Sequence, residues 1–214
     1  MLDSQYFILP VLALRHAPSV SKEALHTLAQ LFIEISDPKI SPHIIHLQLY
    51  TYNDMLRSIL VSKLGWLGAA FKTPLEHLMG RLSFIQGYLH SDHSSHMMIT
   101  KDLQSGDLVI NGKSQAETST ILKKVSRKLL RNSLKTGFIP LFPFINISEP
   151  GRGFHSGGTF PMRERPNKYE CDRLGRPAGL QRVHLIDSSS FPTLPATTIT
   201  LTVMANAYRI GSNA

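Results

Sequence analysis

The sequence predicts an α+β fold, in which a mixed or antiparallel sheet is flanked by helices. Segments that alternate between apolar and polar residues, as strands do, are interspersed with segments of helical periodicity. These segments lack the regular strand–helix–strand order of a parallel sheet. A Ser105-Gly106-Asp107 turn between two strand patterns indicates an antiparallel hairpin. With 214 residues, 42% of them hydrophobic, the chain is long enough for a sizeable core.

The first part of the chain alternates between strand and helix patterns. Residues 6–15 read as a strand or a buried extended piece that Pro10 interrupts. Residues 19–36 have helical periodicity, and the predicted apolar face includes Leu31 and Phe32. Three further segments complete this part, namely a strand pattern at 44–52 and helix patterns at 53–71 and 74–82.

The middle of the chain reads as three strands and a helix. The strand patterns lie at residues 82–91, 96–102 and 107–112. The helix that follows opens with Ser114 and Glu117, which have the spacing of a capping box. Five apolar residues are predicted to form its buried stripe: Ile121, Leu122, Val125, Leu129 and Leu130.

The formal charge of +8 raises the question of a nucleic acid, a membrane surface or an anionic ligand as partner. The charges are scattered, and the densest groups lie at residues 123–131 and 163–168. The first group follows a helical pattern beside an apolar stripe, which indicates a solvated helix face, and no nucleic-acid-binding motif accompanies it. No apolar run approaches the roughly 20 residues of a membrane-spanning helix. We therefore predict no nucleic-acid partner and no membrane span.

The single cysteine and the first residues bear on the cellular compartment. Cys171 is the only cysteine, which excludes an intramolecular disulfide and is typical of a reducing compartment. The apolar run near the N-terminus follows Asp3 and no basic segment, so it is a poor signal peptide. These observations predict a cytoplasmic protein. Because Met1 opens directly on a strand-like segment, we expect the chain to be cut from inside a longer one.

Histidines recur at intervals of three between two strand patterns, at His90, His93 and His96, with Asp92 among them. Such a cluster is a candidate metal site. On a helix the three side chains would spread around the surface, and on a strand His93 would face away from the other two. We therefore predict a polar loop here and no metal site.

A glycine-rich stretch at residues 151–162 contains one imidazole, His155. The neighbouring Gly157 and Gly158 permit unusual backbone dihedrals and the close approach of a large flat ligand. A histidine in such a loop can act as a general base near neutral pH. An ordinary loop histidine beside a glycine turn is the alternative, and this stretch alone does not decide between them.

A second stretch in the C-terminal region has the pattern of a strand, a tight turn and a helix. The strand pattern at residues 183–186 ends at Asp187, and Ser188 begins a run of serines. Thr198 lies at the start of the helix, where free N–H groups and the positive end of the dipole can hold a carbonyl or an anion. A capped core helix after a turn is the alternative interpretation.

Together, the stretches "FHSGGTFPM" and "LIDSSSFPTLPATTITLTVMANAYRI" resemble the C-terminal portion of the glucose–methanol–choline (GMC) family of flavin oxidoreductases. The resemblance covers residues 150–210 and extends more weakly over the preceding part. It implies a substrate-binding region at 1–148, followed at 149–214 by the C-terminal strand–helix segment of an incomplete FAD-binding domain. Members of the family bind FAD and oxidise an alcohol CH–OH group to a carbonyl.

The resemblance also implies a role for each residue of the two stretches. His155 would accept or hydrogen-bond the hydroxyl proton of an alcohol substrate as hydride passes to the flavin. Gly157 and Gly158 would leave room for the isoalloxazine ring. The remaining residues would lie along the cofactor, with Asp187 and Ser188 near the ribityl and pyrophosphate groups and the backbone of Thr198, Ile199 and Thr200 near the pyrimidine end.

Two departures from the family pattern qualify these roles. The family usually places a second histidine or an asparagine where this chain has Thr198, or Ile199 if the register shifts by one. His155 would then act alone, with Thr198 assisting. The glycine-rich GxGxxG turn that holds the FAD pyrophosphate is absent from the 214 residues, so the dinucleotide-binding region is missing. The chain should therefore bind FAD poorly unless an FAD-binding partner completes it.

Two functions remain as hypotheses. The chain is either the catalytic C-terminal portion of an FAD-dependent alcohol oxidoreductase or a non-enzymatic binding domain derived from one. If an FAD-binding domain normally covers the last helix, that helix should expose an apolar face here.

Overall fold

The described part of the chain forms ten β-strands and three α-helices. A computed structural model describes residues 1–15, 29, 31–51, 77–78 and 80–214. The strands are β1 (Leu2–Asp3), β2 (Tyr6–Ala13), β3 (Leu31–Asp37), β4 (Ser41–Thr51), β5 (Leu82–Tyr88), β6 (His96–Lys101), β7 (Leu108–Lys113), β8 (Phe138–Pro140), β9 (Asn146–Ile147) and β10 (Ser156–Gly157). The helices are α1 (Glu117–Arg131), α2 (Ser133–Thr136) and α3 (Thr200–Gly211).

The strands belong to two antiparallel sheets. The larger has the order β3-β4-β5-β2-β8, and β9 also pairs with β2. The smaller has the order β10-β1-β6-β7. Strands β6 and β7 form the predicted hairpin, whose turn contains Gly106 at a φ of +80°. The predicted α+β class, with antiparallel pairing, is therefore confirmed.

One face of the larger sheet is apolar and packs against α1. In β4 the side chains of Ile45 and Leu47 are buried on this face, as the alternation of residues 44–52 predicts. Helix α1 contributes the other side of the core through four buried residues: Ile121, Leu122, Val125 and Leu129. The opposite face of the sheet is left for polar and aromatic side chains.

Strand β2 continues through Pro10, where the sequence predicts an interruption. Pro10 pairs in register with Phe84 of β5. On the other side of β2, β9 pairs with Phe7 and Ile8, while β8 pairs only from Val11 onward. Pro10 therefore lies in the gap between these two partner strands. Its lack of an N–H costs the sheet no ladder hydrogen bond there.

The helix predicted over residues 19–36 is wrong at its C-terminal end. Leu31 and Phe32 lie in β3, and each has 65% of its surface exposed. Pairing with β4 prevails over the helical pattern because Ile33 and Ile35 pack toward the core and β-branched residues suit a strand. Residues 19–28 and 30 of this predicted helix, and the whole helix predicted at 53–71, lie outside the described residues. Of the helix predicted at 74–82, residues 77–78 are helical, whereas residues 80–81 form a turn and Leu82 begins β5, and the remaining residues are not described.

Helix α1 differs from its predicted form in two details. It begins at Glu117, and its cap residue is Ala116, so the capping box of Ser114 and Glu117 does not form. Leu130 is 55% exposed rather than part of the buried stripe, because it lies one residue beyond Leu129 on the turning helix surface. The basic residues Lys123, Lys124, Arg127 and Arg131 lie on the exposed face, as predicted.

The C-terminal segment contains the predicted helix, but residues 183–186 form no strand. The Leu185 amide donates to the carbonyl of Gly175 at 2.8 Å, and the His184 ring contacts the carbonyl of Leu174 at 2.8 Å. These bonds join the segment to a loop instead of a sheet. Within the described residues, no helix combines the length and the apolar character needed to cross a bilayer.

Candidate functional site

The loop that carries His155 is fastened to the first residues of the chain. Strand β10, directly after His155, pairs with β1, and the Ser4 amide donates to the His155 carbonyl at 3.0 Å. The buried carboxylate of Asp3 accepts hydrogen bonds from the amides of Gly151 at 2.9 Å and Gly153 at 3.3 Å. Burial raises the pKa of Asp3, although the bonds from backbone amides oppose this effect.

The His155 side chain is partly buried beside the polar face of the larger sheet. Its ring centroid lies 5.5 Å from that of Tyr88 in β5. The Nδ1 atom is buried and has no hydrogen-bond partner among the described residues. Burial, and secondarily the nearby His46, lower the pKa of His155 below its ordinary value. The imidazole is therefore neutral at neutral pH and able to accept a proton.

A chain of hydrogen bonds crosses the polar face of β4. The Tyr50 hydroxyl donates to Gln48 Oε1 at 3.0 Å, which orients the amide so that its nitrogen faces His46 Nε2 at 3.2 Å. His46 Nε2 is then the acceptor, and its Nδ1 carries the proton, 3.5 Å from Glu34 Oε1. The network holds His46 in one tautomer on the face that His155 approaches.

Aromatic rings line the same face next to His155. Tyr6 packs edge-on against Phe154 at 5.0 Å between centroids and lies 5.5 Å from Tyr88. Burial, followed by the neighbouring tyrosines, raises the pKa of Tyr88, so its hydroxyl stays protonated and donates to Gln86 Oε1 at 3.4 Å. A cavity of about 550 Å³ opens beside these rings, lined in part by Tyr6, Phe154 and Arg152.

Contacts within the chain require glycine at the two positions that follow Ser156, namely Gly157 and Gly158. A Cβ atom on Gly157 would lie 2.3 Å from the Ser188 carbonyl oxygen, and Gly158 has a φ of +62°. The Gly158 amide donates to the same carbonyl at 2.9 Å, and Ser188 Oγ donates to the Ser156 carbonyl at 2.7 Å. These contacts join the loop at residues 151–158, here called the His155 loop, to the turn at Ser188–Ser190, here called the serine turn. The side of Gly157 on which a Cβ would project is therefore filled by backbone.

The remaining predicted site residues lie around this junction and the start of α3. Asp187 is exposed and caps the serine turn by accepting from the amide and the hydroxyl of Ser189. Thr198 and Thr200 are exposed, whereas Ile199 is buried with Phe191 and Leu194. Of the two register alternatives, only Thr198 therefore presents a side chain to solvent. Ile199 is also the cap residue of α3 and has no side-chain acceptor for the first amides of the helix.

Several residues of the site were missed by sequence reasoning. His46, Gln48 and Tyr50 occupy the polar positions of the same alternating segment whose apolar positions predict the core. That alternation was the available signal, since an antiparallel sheet commonly has one face on the core and one face of polar side chains open to solvent. The pairing of Asp3 with a loop almost 150 residues away leaves no comparable signal in the sequence.

The loop, the serine turn and most of α3 lie within a stretch that is similar to a known protein family. Residues 144–207 match the family model described as GMC oxidoreductase. Over these residues the chain is thus similar to the C-terminal portion of GMC oxidoreductases, as the resemblance of its two motifs implies. Proteins of this family are generally FAD-dependent. A search of curated proteins gives no significant match to the chain.

Proposed function

We propose that the chain is the substrate-binding and catalytic part of an FAD-dependent enzyme that oxidises an alcohol CH–OH group to a carbonyl. It would become active only when an FAD-binding domain completes it. The observation that carries the proposal is the His155 imidazole, which is neutral, partly buried and unpaired at Nδ1 among the described residues. A neutral imidazole of this kind is suited to accept a proton.

In this reaction His155 accepts the proton of the substrate hydroxyl. Loss of that proton increases the electron density on the substrate oxygen, which favours cleavage of the adjacent C–H bond. When bound, FAD supplies the acceptor for the hydride that leaves the substrate carbon. Tyr88 supports the His155 ring, and Tyr6 and Phe154 offer an aromatic surface to the apolar part of the alcohol. The Thr198 hydroxyl assists by hydrogen-bonding the substrate oxygen.

The start of α3 fits a flavin because its first amides lack a side-chain cap. In the proposal, these amides and the backbone of Thr198, Ile199 and Thr200 hold the pyrimidine end of the cofactor. Asp187 and Ser188, which organise the turn, would lie near the ribityl and pyrophosphate groups. Gly157 and Gly158 keep the His155 loop close to that turn, and a bound isoalloxazine ring would lie next to them.

The exposed surface of α3 supports an FAD-binding domain as partner. Leu201, Met204 and Tyr208 are 79%, 62% and 79% exposed, and their spacing places them on one helix face. Val183 and Ile186, in the extended stretch before the serine turn, are also about half exposed. We propose that residues 149–214 pack on the FAD-binding domain through these side chains, while 1–148 form the substrate-binding region.

We propose a cytoplasmic location from the properties of one residue, Cys171. Cys171 is buried, its thiol donates to the Phe160 carbonyl at 2.9 Å, and burial raises its pKa. A thiol of this kind is unreactive and needs no disulfide partner, which agrees with a cytoplasmic protein.

Reconstitution tests the proposal directly. The chain would be mixed with a separately purified FAD-binding domain of the same family, and FAD retention after gel filtration would be followed by visible absorbance. We expect the complex to retain FAD and to reduce an artificial electron acceptor when an alcohol is added. Failure to retain FAD with such domains would reject the enzyme hypothesis and favour a non-enzymatic binding domain. In that case the exposed face of α3 would bind another partner.

Variants of the reconstituted complex test the individual roles. His155→Ala should lower turnover about 10²–10⁴-fold while FAD stays bound, because a positioned base is lost. Thr198→Val, which removes only the hydroxyl, should cause a smaller loss. Met204→Glu should prevent association with the FAD-binding domain, whereas Leu103→Glu, at a 94% exposed position between β6 and β7, serves as its control. Unchanged turnover in His155→Ala would contradict the catalytic role.

A further inference from the structure

Three metal-binding side chains meet where β4 begins and β5 passes into β6. His43 comes from β4, and His90 and Asp92 come from the turn after β5. His43 Nε2 lies 3.0 Å from Asp92 Oδ2, and His90 Nδ1 lies 3.6 Å from Asp92 Oδ1. The ligand atoms of the three groups all lie within 4.8 Å of one another. The spacing of histidines in the sequence could not reveal this cluster, because His43 is far from the other two along the chain.

The distances agree with ligands that share one ion. Ligand atoms bound to zinc at roughly 2.0–2.2 Å lie roughly 3.3–3.6 Å apart in a tetrahedron. The two nitrogen–oxygen distances, 3.0 Å to Asp92 Oδ2 and 3.6 Å to Asp92 Oδ1, bracket this range, and each goes to a different oxygen of the carboxylate. The rings of His43 and His90 are stacked, with centroids 3.6 Å apart, so one ring must turn about its Cβ–Cγ bond for both nitrogens to reach the ion.

The hydrogen bonds show which nitrogen of His90 can bind a metal. The Asp92 amide donates to His90 Nδ1 at 3.2 Å, so this nitrogen carries a lone pair and no proton. Asp92 Oδ1 lies 3.6 Å from the same nitrogen, and Asp92 Oδ2 lies 3.0 Å from His43 Nε2. A cation bound by His90 Nδ1 would take this lone pair in place of the hydrogen bond from the Asp92 amide, and the Asp92 carboxylate lies within reach of the same ion.

Exposure increases across the cluster from the imidazoles to the carboxylate. The side chain of His90 is 11% exposed, that of His43 is 32% exposed and that of Asp92 is 53% exposed. An ion can therefore enter from solvent on the carboxylate side, and water can complete its coordination. Two imidazole nitrogens and one carboxylate oxygen suit zinc and its neighbours in the transition series better than magnesium or calcium, which prefer oxygen ligands alone.

We propose that His43, His90 and Asp92 form a binding site for a divalent transition-metal ion of the zinc class. His93 lies beside the site and is not a ligand. Its ring stands edge-on to that of His43 at 5.6 Å, and its Nε2 contacts Ser41 Oγ at 3.1 Å. The site would fasten the start of β4 to the turn after β5, independently of the oxidoreductase function.

Isothermal titration of the whole chain with Zn²⁺ alone, after dialysis against a chelator, tests the proposal. We expect one equivalent to bind, and Zn²⁺ should raise the melting temperature. Asp92→Asn and His43→Gln should weaken binding by more than the roughly 10–100-fold expected from loss of an outer-shell partner. His93→Gln, a neighbouring histidine of the same turn, should bind as the wild type does.

Three results would overturn the site. They are the absence of Zn²⁺ binding by the wild type, unchanged binding in both Asp92→Asn and His43→Gln, and an equal loss in His93→Gln. Circular dichroism of each variant without metal checks its fold. Because the Asp92 side chain is half exposed, Asp92→Asn is the variant least expected to disturb folding and decides the outcome if His43→Gln is unfolded.

Discussion

The carboxylate of Asp3 accepts a 2.9 Å hydrogen bond from the amide of Gly151, a residue 148 positions further along the chain. The same carboxylate oxygen accepts from the Gly153 amide at 3.3 Å, and the side chain is buried. Together with the bond from the Ser4 amide to the His155 carbonyl, this contact holds the loop that precedes the proposed base. The N-terminal strand is therefore part of the support of the candidate site.

Asp3→Ala should destabilise the protein. The substitution leaves two amides of the loop without their acceptor, which costs about 1–3 kcal/mol for a buried group. Asp3→Asn keeps an acceptor oxygen and should lose less. Chemical denaturation of both variants measures the difference in free energy of unfolding, and equal losses would show that the bonds from Gly151 and Gly153 contribute little.

Gly157→Ala should be destabilising because the added Cβ would lie 2.3 Å from the Ser188 carbonyl oxygen. Separating the His155 loop from the serine turn should cost about 1–3 kcal/mol, the range for overpacked sites. Gly211→Ala is the matched control, since a Cβ there meets no atom within 4 Å. Thermal unfolding of both variants tests the expectation, and similar melting temperatures would contradict it.

Acid should destabilise the wild type more than His155→Gln. The pKa of His155 is lowered from 6.5 in the folded chain, so the unfolded state binds more protons as the pH falls. The stability that His155 contributes is therefore present above pH 6.5 and is lost below it. Free energies of unfolding measured from about pH 7.5 to about pH 5 should converge or cross on the acid side. A constant difference between the two proteins would refute the lowered pKa.

Two leucines of α1 should respond differently to truncation. Leu122 is 1% exposed and packs against the larger sheet, so Leu122→Ala should cost about 2–5 kcal/mol. Leu130 is 55% exposed, so Leu130→Ala should change stability by less than about 0.5 kcal/mol. Urea denaturation of the two variants compares sites on one helix, and equal effects would contradict the assigned orientation of α1.

Much of the fold could be read from local patterns. The alternation in residues 44–52, the turn at Gly106 and the apolar stripe of α1 predict elements that the structure contains. The strand containing Leu31 and Phe32 could not be recognised because pairing with β4, a contact between separate segments, prevails over a helical pattern. The position of Pro10 within β2 could not be predicted either, because it depends on the gap between β8 and β9, the strands that pair with β2 on that side.

For the candidate site, the sequence by itself determined the similarity of residues 144–207 to GMC oxidoreductases and the choice of His155 as the proposed base, because both rest on motifs that are continuous in the chain. Only the tertiary structure decided which groups surround that imidazole. Tyr88 packs beside it, His46 on the neighbouring strand is near enough to lower its pKa, and Asp3 holds its loop from the far end of the chain. The convergence of His43 with His90 and Asp92 has the same origin. Strand pairing brings distant residues within a few ångströms, and no local pattern encodes those distances.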